Sequence, residues 1–369
     1  MSSPIRLAGW LSTLFLSLTL TGAAWADSVE DLYSARIPVT GQGSAARSDG
    51  IRKAFEKVLA KVTGNRTLPR QKGFAKLKNR ANRYVQQYRY LPWESSGSAS
   101  ATEAAADRLL WVMFDERGIN RLLRDSGIAV WGSVRPATLV WLGIEDEGRR
   151  RIYQPELEPG LRNALNGVSR ERGLPLIFPL MDMEDSTRLQ PSDLWGGFEG
   201  AIRAASGRYQ PDAILVGRLR NLGGEWRAQW SLYQQGPASS WQTSGPREQA
   251  VAEGLHRAVD ELAIRFAPKT ASRETSRLRL RISGLHGLAD YVQVRDYLHS
   301  LELIEQLDLL SADADQVSFL ASAQGGREAL EKSIMLGGVL EPALSTSSLP
   351  LHDGQSTDFE GTSLDYRLR

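Results

Sequence analysis

Hydrophobic and polar positions alternate with two different periods along this chain, and the switches between them outline its organisation. Leu32–Val39 reads as a strand. Ile51, Phe55, Val58, Leu59 and Val62 then recur at helical spacing, and Gly64 ends the run. A second helix is predicted from Gln71 to Gln87, with Phe74, Leu77, Ala81, Tyr84 and Tyr88 on one side. Glu94–Asp107 is Ser/Ala-rich and reads as a flexible loop. Leu109–Phe114 is an apolar strand, and Arg117–Asp125 a short helix stopped by Gly127. These elements compose a first unit over residues 27–133, an α+β domain.

The second unit, 136–268, alternates strand and helix. Strands are predicted at Thr138–Ile144, Pro175–Met181 and from Ala213, with helices at Gly160–Arg172 and Ser192–Arg208 between them. That order implies right-handed crossovers and a sheet that starts parallel. Gly223-Gly224 turns the chain into a hairpin, after which Trp226, Ala228, Trp230 and Leu232 face one way and Arg227, Gln229 and Ser231 the other. A helix from Glu248 to Phe266 covers the sheet. The Trp226–Trp230 stripe suits core beneath that helix better than a sugar-stacking platform.

A third unit, 275–343, is small. Leu278, Leu280 and Ile282 alternate with Arg277, Arg279 and Arg281, a half-buried strand. A helix at Leu288–Glu302, a hairpin of Leu303–Leu310 with Gln316–Ala323, and a helix at Arg327–Leu336 complete a ferredoxin-like β-α-β-β-α order. Residues 344–369 are polar and poor in core residues, so a disordered tail is expected. The predicted class is multi-domain α/β and α+β: a β-α-β-α-β-hairpin-α middle domain flanked by a basic α+β domain and the ferredoxin-like one.

The first residues follow another logic. Arg6 precedes Leu7–Thr21, which carries no charge, and Ala24-Trp25-Ala26 has the small-x-small form of a signal-peptidase site. The apolar run is shorter than the roughly 20 residues a spanning helix needs. Residues 1–26 are therefore expected to be a signal peptide cut after Ala26, with no transmembrane span in the mature chain. The sequence holds no cysteine. Disulfides, thiol nucleophiles and Cys-held zinc or iron–sulfur clusters are thus excluded, and stability must come from burial.

Five segments, "LYSARIPV", "AFEKVLAKVTGNR", "RYVQQYRY", "PDAILVGRL" and "ISGLHGLADYVQVRDYLHSLELIEQ", together resemble an exported proteobacterial family catalogued only as a domain of unknown function. The likeness spans most of the mature chain. It implies a periplasmic protein without an established activity and carries no catalytic residues over.

Charge changes the picture more than any motif does. The whole chain is nearly balanced, with 45 Lys and Arg against 43 Asp and Glu. Yet from Lys57 to Trp93 there are ten cationic residues and no Asp or Glu. On the expected second helix, Lys72, Lys76, Arg80 and Arg83 form one stripe turned away from Phe74, Leu77, Ala81 and Tyr84. Such a surface attracts anions over about 8 Å at physiological salt. In a cell envelope those anions are lipid headgroups, lipopolysaccharide phosphates or acidic proteins. The alternative for the stripe is pairing with the acidic residues of the protein's own other units. Tyr84, Tyr88 and Tyr90 beside it suit a nucleic-acid platform in form, but the expected compartment argues against that partner.

Motifs for chemistry are sparse. Gly41-x-Gly43-x-x-Ala46 lacks the following strand and acidic residue of a dinucleotide site. There is no G-x-S-x-G and no S-x-x-K, and His256, His286, His299 and His352 fall in no metal-binding spacing. No cofactor is called for. Glu145, Asp146 and Glu147 follow the first strand of the middle unit, and Asp182, Glu184 and Asp185 follow the second. If both clusters lay at carboxyl ends of parallel strands, Asp146 and Asp182 would be weak candidates for a metal-dependent hydrolase. That hydrolase is the alternative; the reading adopted is a non-enzymatic binding or assembly factor contacting anionic envelope components or an envelope protein, through the basic stretch. A third is a scaffold that recognises another envelope protein through the Arg277, Arg279, Arg281 strand.

Overall fold

The computed structural model describes residues 31–93, 106–234, 236–266, 275–343 and 363–369. The expected leader, 1–26, and most of the expected loop at Glu94–Asp107 lie outside the described residues. The fold is mixed α/β, with three sheets among the described residues.

The first sheet joins β1 (Ser34–Val39), β2 (Val85–Pro92) and β3 (Arg108–Phe114) in the order β1-β3-β2, all antiparallel. Helix α1 (Ser44–Thr63) packs Ala54, Phe55, Val58, Leu59 and Val62 into the core, each with no exposed surface. Gly64 ends α1 in the left-handed region at φ 66°. A side chain there would collide with Ala263 and the Trp131 ring, so only glycine both turns the chain and admits its neighbour.

The single helix expected over 71–87 is not formed. Helix α2 (Lys72–Lys78) stops early, a 3-10 turn follows at Ala81–Tyr84, and the rest is β2. The apolar reading survives in part: Phe74 and Ala81 are buried, and Leu77 and Tyr84 pack on the same core. Tyr88 instead lies 44% exposed. Pairing of Val85–Pro92 with β3 outweighs a periodicity that was compatible with either structure. Helix α3 (Glu116–Asp125) closes the unit, capped by Asp115, whose side chain accepts from the Gly118 amide at 3.1 Å.

The middle sheet contains β4 (Thr138–Asp146), β5 (Arg149–Ile152), β6 (Leu176–Ile177), β7 (Ala213–Leu222), β8 (Glu225–Tyr233) and β9 (Ser239–Gly245). Its order is β5-β4-β7-β8-β9, with β6 pairing only the first residues of β4. β4 runs parallel to β7 and β6, and the other pairs are antiparallel. The Gly223-Gly224 hairpin forms as expected, with both glycines at positive φ. Four helices accompany the sheet: α4 (Pro159–Arg172), α5 (Met183–Arg188), α6 (Pro191–Gly196) and α7 (Glu199–Ser206). The helix expected at Ser192–Arg208 is thus broken, because Gly197 adopts φ 67° at its middle. A long helix, α8 (Arg247–Phe266), covers one face. Its Gly254 sits where any side chain would strike Trp230, which is fully buried and therefore core.

The third sheet takes β10 (Thr275–Ser283), β11 (Ile304–Ala312) and β12 (Gln316–Gln324) in the expected β-α-β-β-α order, with α9 (Leu288–Ser300) and α10 (Gly326–Leu336). It then gains β13 (Leu340–Pro342) and β14 (Ser363–Leu368), in the order β11-β12-β10-β14-β13. The expected disordered tail is corrected here. Residues 363–368 form a strand parallel to β10, and its Leu364 and Tyr366 are buried in the core. Six alternating residues after a long polar stretch are enough to bury two side chains, although the average composition of the stretch conceals them. The intervening 344–362 lie outside the described residues.

The three units are tied by buried polar groups. The Arg135 guanidinium, with no exposed surface, donates to the carbonyls of Gly132, Trp131, Lys61 and Arg172 at 2.7–2.9 Å. Two of these carbonyls belong to the last turns of α1 and α4, where the helix dipole favours a cation. Arg172 in turn donates to the Gly64 carbonyl at 2.7 Å and to Asp260 at 2.6 Å. Tyr33 and Asn120 of the first unit both donate to the Glu302 carboxylate of the third, at 2.9 and 3.0 Å.

Candidate functional site

The basic stretch of the first unit divides into three groups. Some of its cations are internally paired. Lys78 meets Glu56 at 2.6 Å, and Arg52 and Lys53 share Asp49. Arg66 reaches across to the middle unit, 2.5 Å from Glu253 and 3.6 Å from Asp260. Lys61 is buried and donates to the carbonyls of Asp31 and Ser34 at 3.1 and 2.9 Å. Burial first, then the charge of Arg135, brings its pKa down to about 8. A second group stacks on aromatic rings: Arg47 lies 5.6 Å from the Tyr88 centroid and Arg89 4.4 Å from that of Trp111.

The third group is solvent-facing. Arg70, Arg80 and Arg83 are exposed and have no ion pair among the described residues. Lys72 and Lys76 sit on the backbone of α2, while their side chains lie outside the described residues. The stripe foreseen for Lys72, Lys76, Arg80 and Arg83 therefore does not run along one helix. The two lysines share α2, Arg80 follows its end, and Arg83 lies in the 3-10 turn. Beside that turn, a groove of about 570 Å³ is lined by Ser44, Arg47, Asn82, Gln86 and Tyr88, among others.

The carboxylate candidates are not brought together. Asp146 ends β4 and accepts from Asn221 at 2.9 Å, near the end of β7. Glu145 beside it pairs with Arg150 at 2.7 Å and Arg220 at 2.8 Å. Asp182 instead caps α5, accepting from the Asp185 amide at 3.0 Å, and pairs with Arg208 at 2.8 Å, just before β7 begins. The Arg208 hydrogen bond holds the Asp182 carboxyl below its usual pKa. At about 3.3 Å per residue, β7 from Ala213 to Asn221 spans roughly 26 Å, so the two carboxylates lie toward opposite ends of it. The shared carboxyl end failed because β6 is only two residues long and pairs where β4 opens. No group of three or more His, Asp or Glu side chains among the described residues is placed to hold a metal ion. His256 lies 3.2 Å from an Arg172 nitrogen, and burial lowers its pKa.

On β10, Leu278, Leu280 and Ile282 are buried as expected, with Arg277 and Arg279 exposed and Arg281 3.5 Å from Asp365. Sequence reasoning missed the junction residues Arg135 and Arg172, and the cavity lined by Asp212, Gln234 and Lys332 described below. The one available signal was an arginine inside an apolar run, "VWGSVRPATLVW".

Among the described residues no helix is long and apolar enough to cross a membrane. No curated protein matches the sequence. A solved structure, the C-terminal domain of LpoB from Salmonella enterica, aligns over 35% of this chain and 93% of that chain at 17% identity, with a TM-score of 0.23. Residues 26–132 match a family described as a domain of unknown function (DUF8605), so the match covers the first unit and its cations.

Proposed function

We propose that the protein is exported and acts as a non-enzymatic binding or assembly factor of the envelope, meeting anionic lipid headgroups through its first unit. Residues 1–26 serve as the cleaved leader, which places the mature chain in the periplasm. The observation that carries the reading is the exposure of Arg70, Arg80 and Arg83 without ion pairs among the described residues, in a stretch free of carboxylates. Long-range attraction brings the surface to the headgroups, and Tyr88 adds a ring that is already exposed. Co-sedimentation with vesicles rich in anionic phospholipid, at low salt, tests it. Binding should be lost when Lys72, Lys76, Arg80 and Arg83 are all changed to Glu in a protein that still melts normally; unchanged binding overturns the proposal. Mass spectrometry of the cellular protein tests export, since a chain retaining Met1–Ala26 would not have been processed.

A further inference from the structure

A cavity of about 530 Å³ separates the opening end of the middle sheet from the third unit. Four cationic residues line it: Arg203 of α7, Arg265 of α8, Lys332 of α10 and Arg369 after β14. Asp212 is the one carboxylate among the lining side chains. All four cations are engaged: Arg203 pairs with Glu199, Lys332 with Glu328 and Arg369 with Glu341, each carboxylate standing outside the lining, and Arg265 is held by an interaction of its own. The walls between the charges are apolar, formed by Ile177, Phe266, Met335 and Leu336. Its volume suits a small organic ligand.

Two features mark its walls. Gln234 lines it with only 8% of its surface exposed, and its side-chain oxygen has no hydrogen-bond partner. That oxygen is sealed within the wall and does not open into the cavity. The backbone is also strained beside it, with Gln210 in the wall at φ 45° and Met181 nearby at φ 54°. Leu180, whose amide donates to the Tyr209 hydroxyl of the lining at 2.9 Å, is 68% exposed, and Met183 86%.

We propose that this cavity binds a small anionic amphiphile, a phosphate or sulfate ester on a short apolar chain. The oxyanion meets Lys332, Arg203 and Arg369, and the chain lies along Ile177, Phe266 and Met335. Asp212 modulates the site. Its carboxylate accepts the Ala137 amide at 2.8 Å, and desolvation by the walls pushes its pKa up to about 6, although one side of the residue faces solvent. Arg369 lowers that pKa by its charge, Tyr297 in turn feels the Asp212 charge, and Arg203, Arg265, Lys332, Tyr209 and Tyr233 line the same cavity. Above pH 6 the carboxylate offsets one of the cations; below it the carboxyl is neutral and the anion binds more tightly.

Calorimetry on the full chain with n-octyl sulfate, whose charge does not titrate, tests the proposal against inorganic sulfate and n-octanol, all below micelle formation. One octyl sulfate should bind per chain, at least tenfold more tightly than either fragment and more tightly at pH 5 than at pH 7.5. Asp212→Asn should remove the pH step, and Lys332→Glu with Met335→Glu should weaken binding at least tenfold. If the double variant melts early, Lys332→Glu alone, an exposed change on α10, is read in its place. Inorganic sulfate binding as well as octyl sulfate would overturn the amphiphile. Undetectable octyl sulfate binding, or binding unchanged in the variants, would overturn the site.

Discussion

Arg135 and Arg83 carry the same charged group into opposite surroundings. Arg83 stands in solvent on a 3-10 turn, where water screens it and no partner is needed. Arg135 has no exposed surface, no carboxylate within hydrogen-bonding distance among the described residues, and four backbone carbonyls as its ligands. The cost of burying a cation is met there by aligned dipoles at the ends of two helices from different units. Burial first, then the charge of the neighbouring Arg172, pushes its pKa down. The contrast teaches that the charge excess of the first unit has two separate uses. Some of its cations stand unpaired in solvent among the described residues, whereas buried Lys61 is spent on carbonyls of its own unit and the partly exposed Arg66 pairs with Glu253 and Asp260 of the middle one.

The largest test of that division is Arg135→Leu. It removes the donors of four carbonyls at once, and each buried acceptor left unsatisfied costs about 1–3 kcal/mol. A destabilisation of about 4 kcal/mol or more is expected, read as a fall in the urea midpoint. Arg135→Lys should recover only part, because one ammonium cannot reach carbonyls from both helix ends. A loss under 1 kcal/mol would place Arg135 in the same class as Arg83. The C-terminal strand offers a comparable test without charge: Tyr366→Ala empties a buried position on β14 and should cost about 3 kcal/mol.

Lys61 sits between the two extremes, and pH separates them. Its folded pKa, about 8, is lower than the value near 10.5 of the unfolded chain. Between those values the unfolded state binds more protons, so stability rises with pH from about 8 to 10.5. The neutral amine retains two N–H donors, which match the two carbonyls it meets. Relative to Lys61→Met, the wild-type protein should gain up to about 3 kcal/mol between pH 7.5 and pH 10, measured by urea unfolding at each pH. A parallel pH dependence in the two proteins would show that the ammonium is not desolvated.

How much of this was legible follows from what each pattern can encode. The α1 face, the Gly223-Gly224 hairpin and the alternation of β8 and β10 were readable because burial on one side imposes a single period. Residues 71–87 misled because Phe74, Leu77, Ala81 and Tyr84 reach one core through a short helix and a 3-10 turn, after which the chain becomes β2. β5 and β9 were missed because they are short edge strands with polar or charged exposed faces. The charged stretch was legible as a count but not as a surface. Lys61, Arg66 and Lys78 look like Arg80 in sequence, and only the approach of Asp31, Glu253 and Glu56 distinguishes them. Asp146 and Asp182 were read as neighbours from strand order alone, a logic that needs β6 to run the length of β4.

The smallest expected effect on stability is the most informative for function. Arg80→Glu with Arg83→Glu changes two exposed residues that have no ion pair among the described residues, so unfolding should shift by no more than about 0.5 kcal/mol. Reversing two charges in a stretch without carboxylates nevertheless changes the local charge by four units, a field felt over about 8 Å at physiological salt. Binding to anionic vesicles should therefore fall severalfold at low salt and converge with the wild type as salt is raised. The salt dependence matters because it separates screened attraction from a loss of shape. If the variant binds less well by the same factor at every salt concentration, the arginines act through local structure, and the distinction between exposed and buried cations loses its functional half.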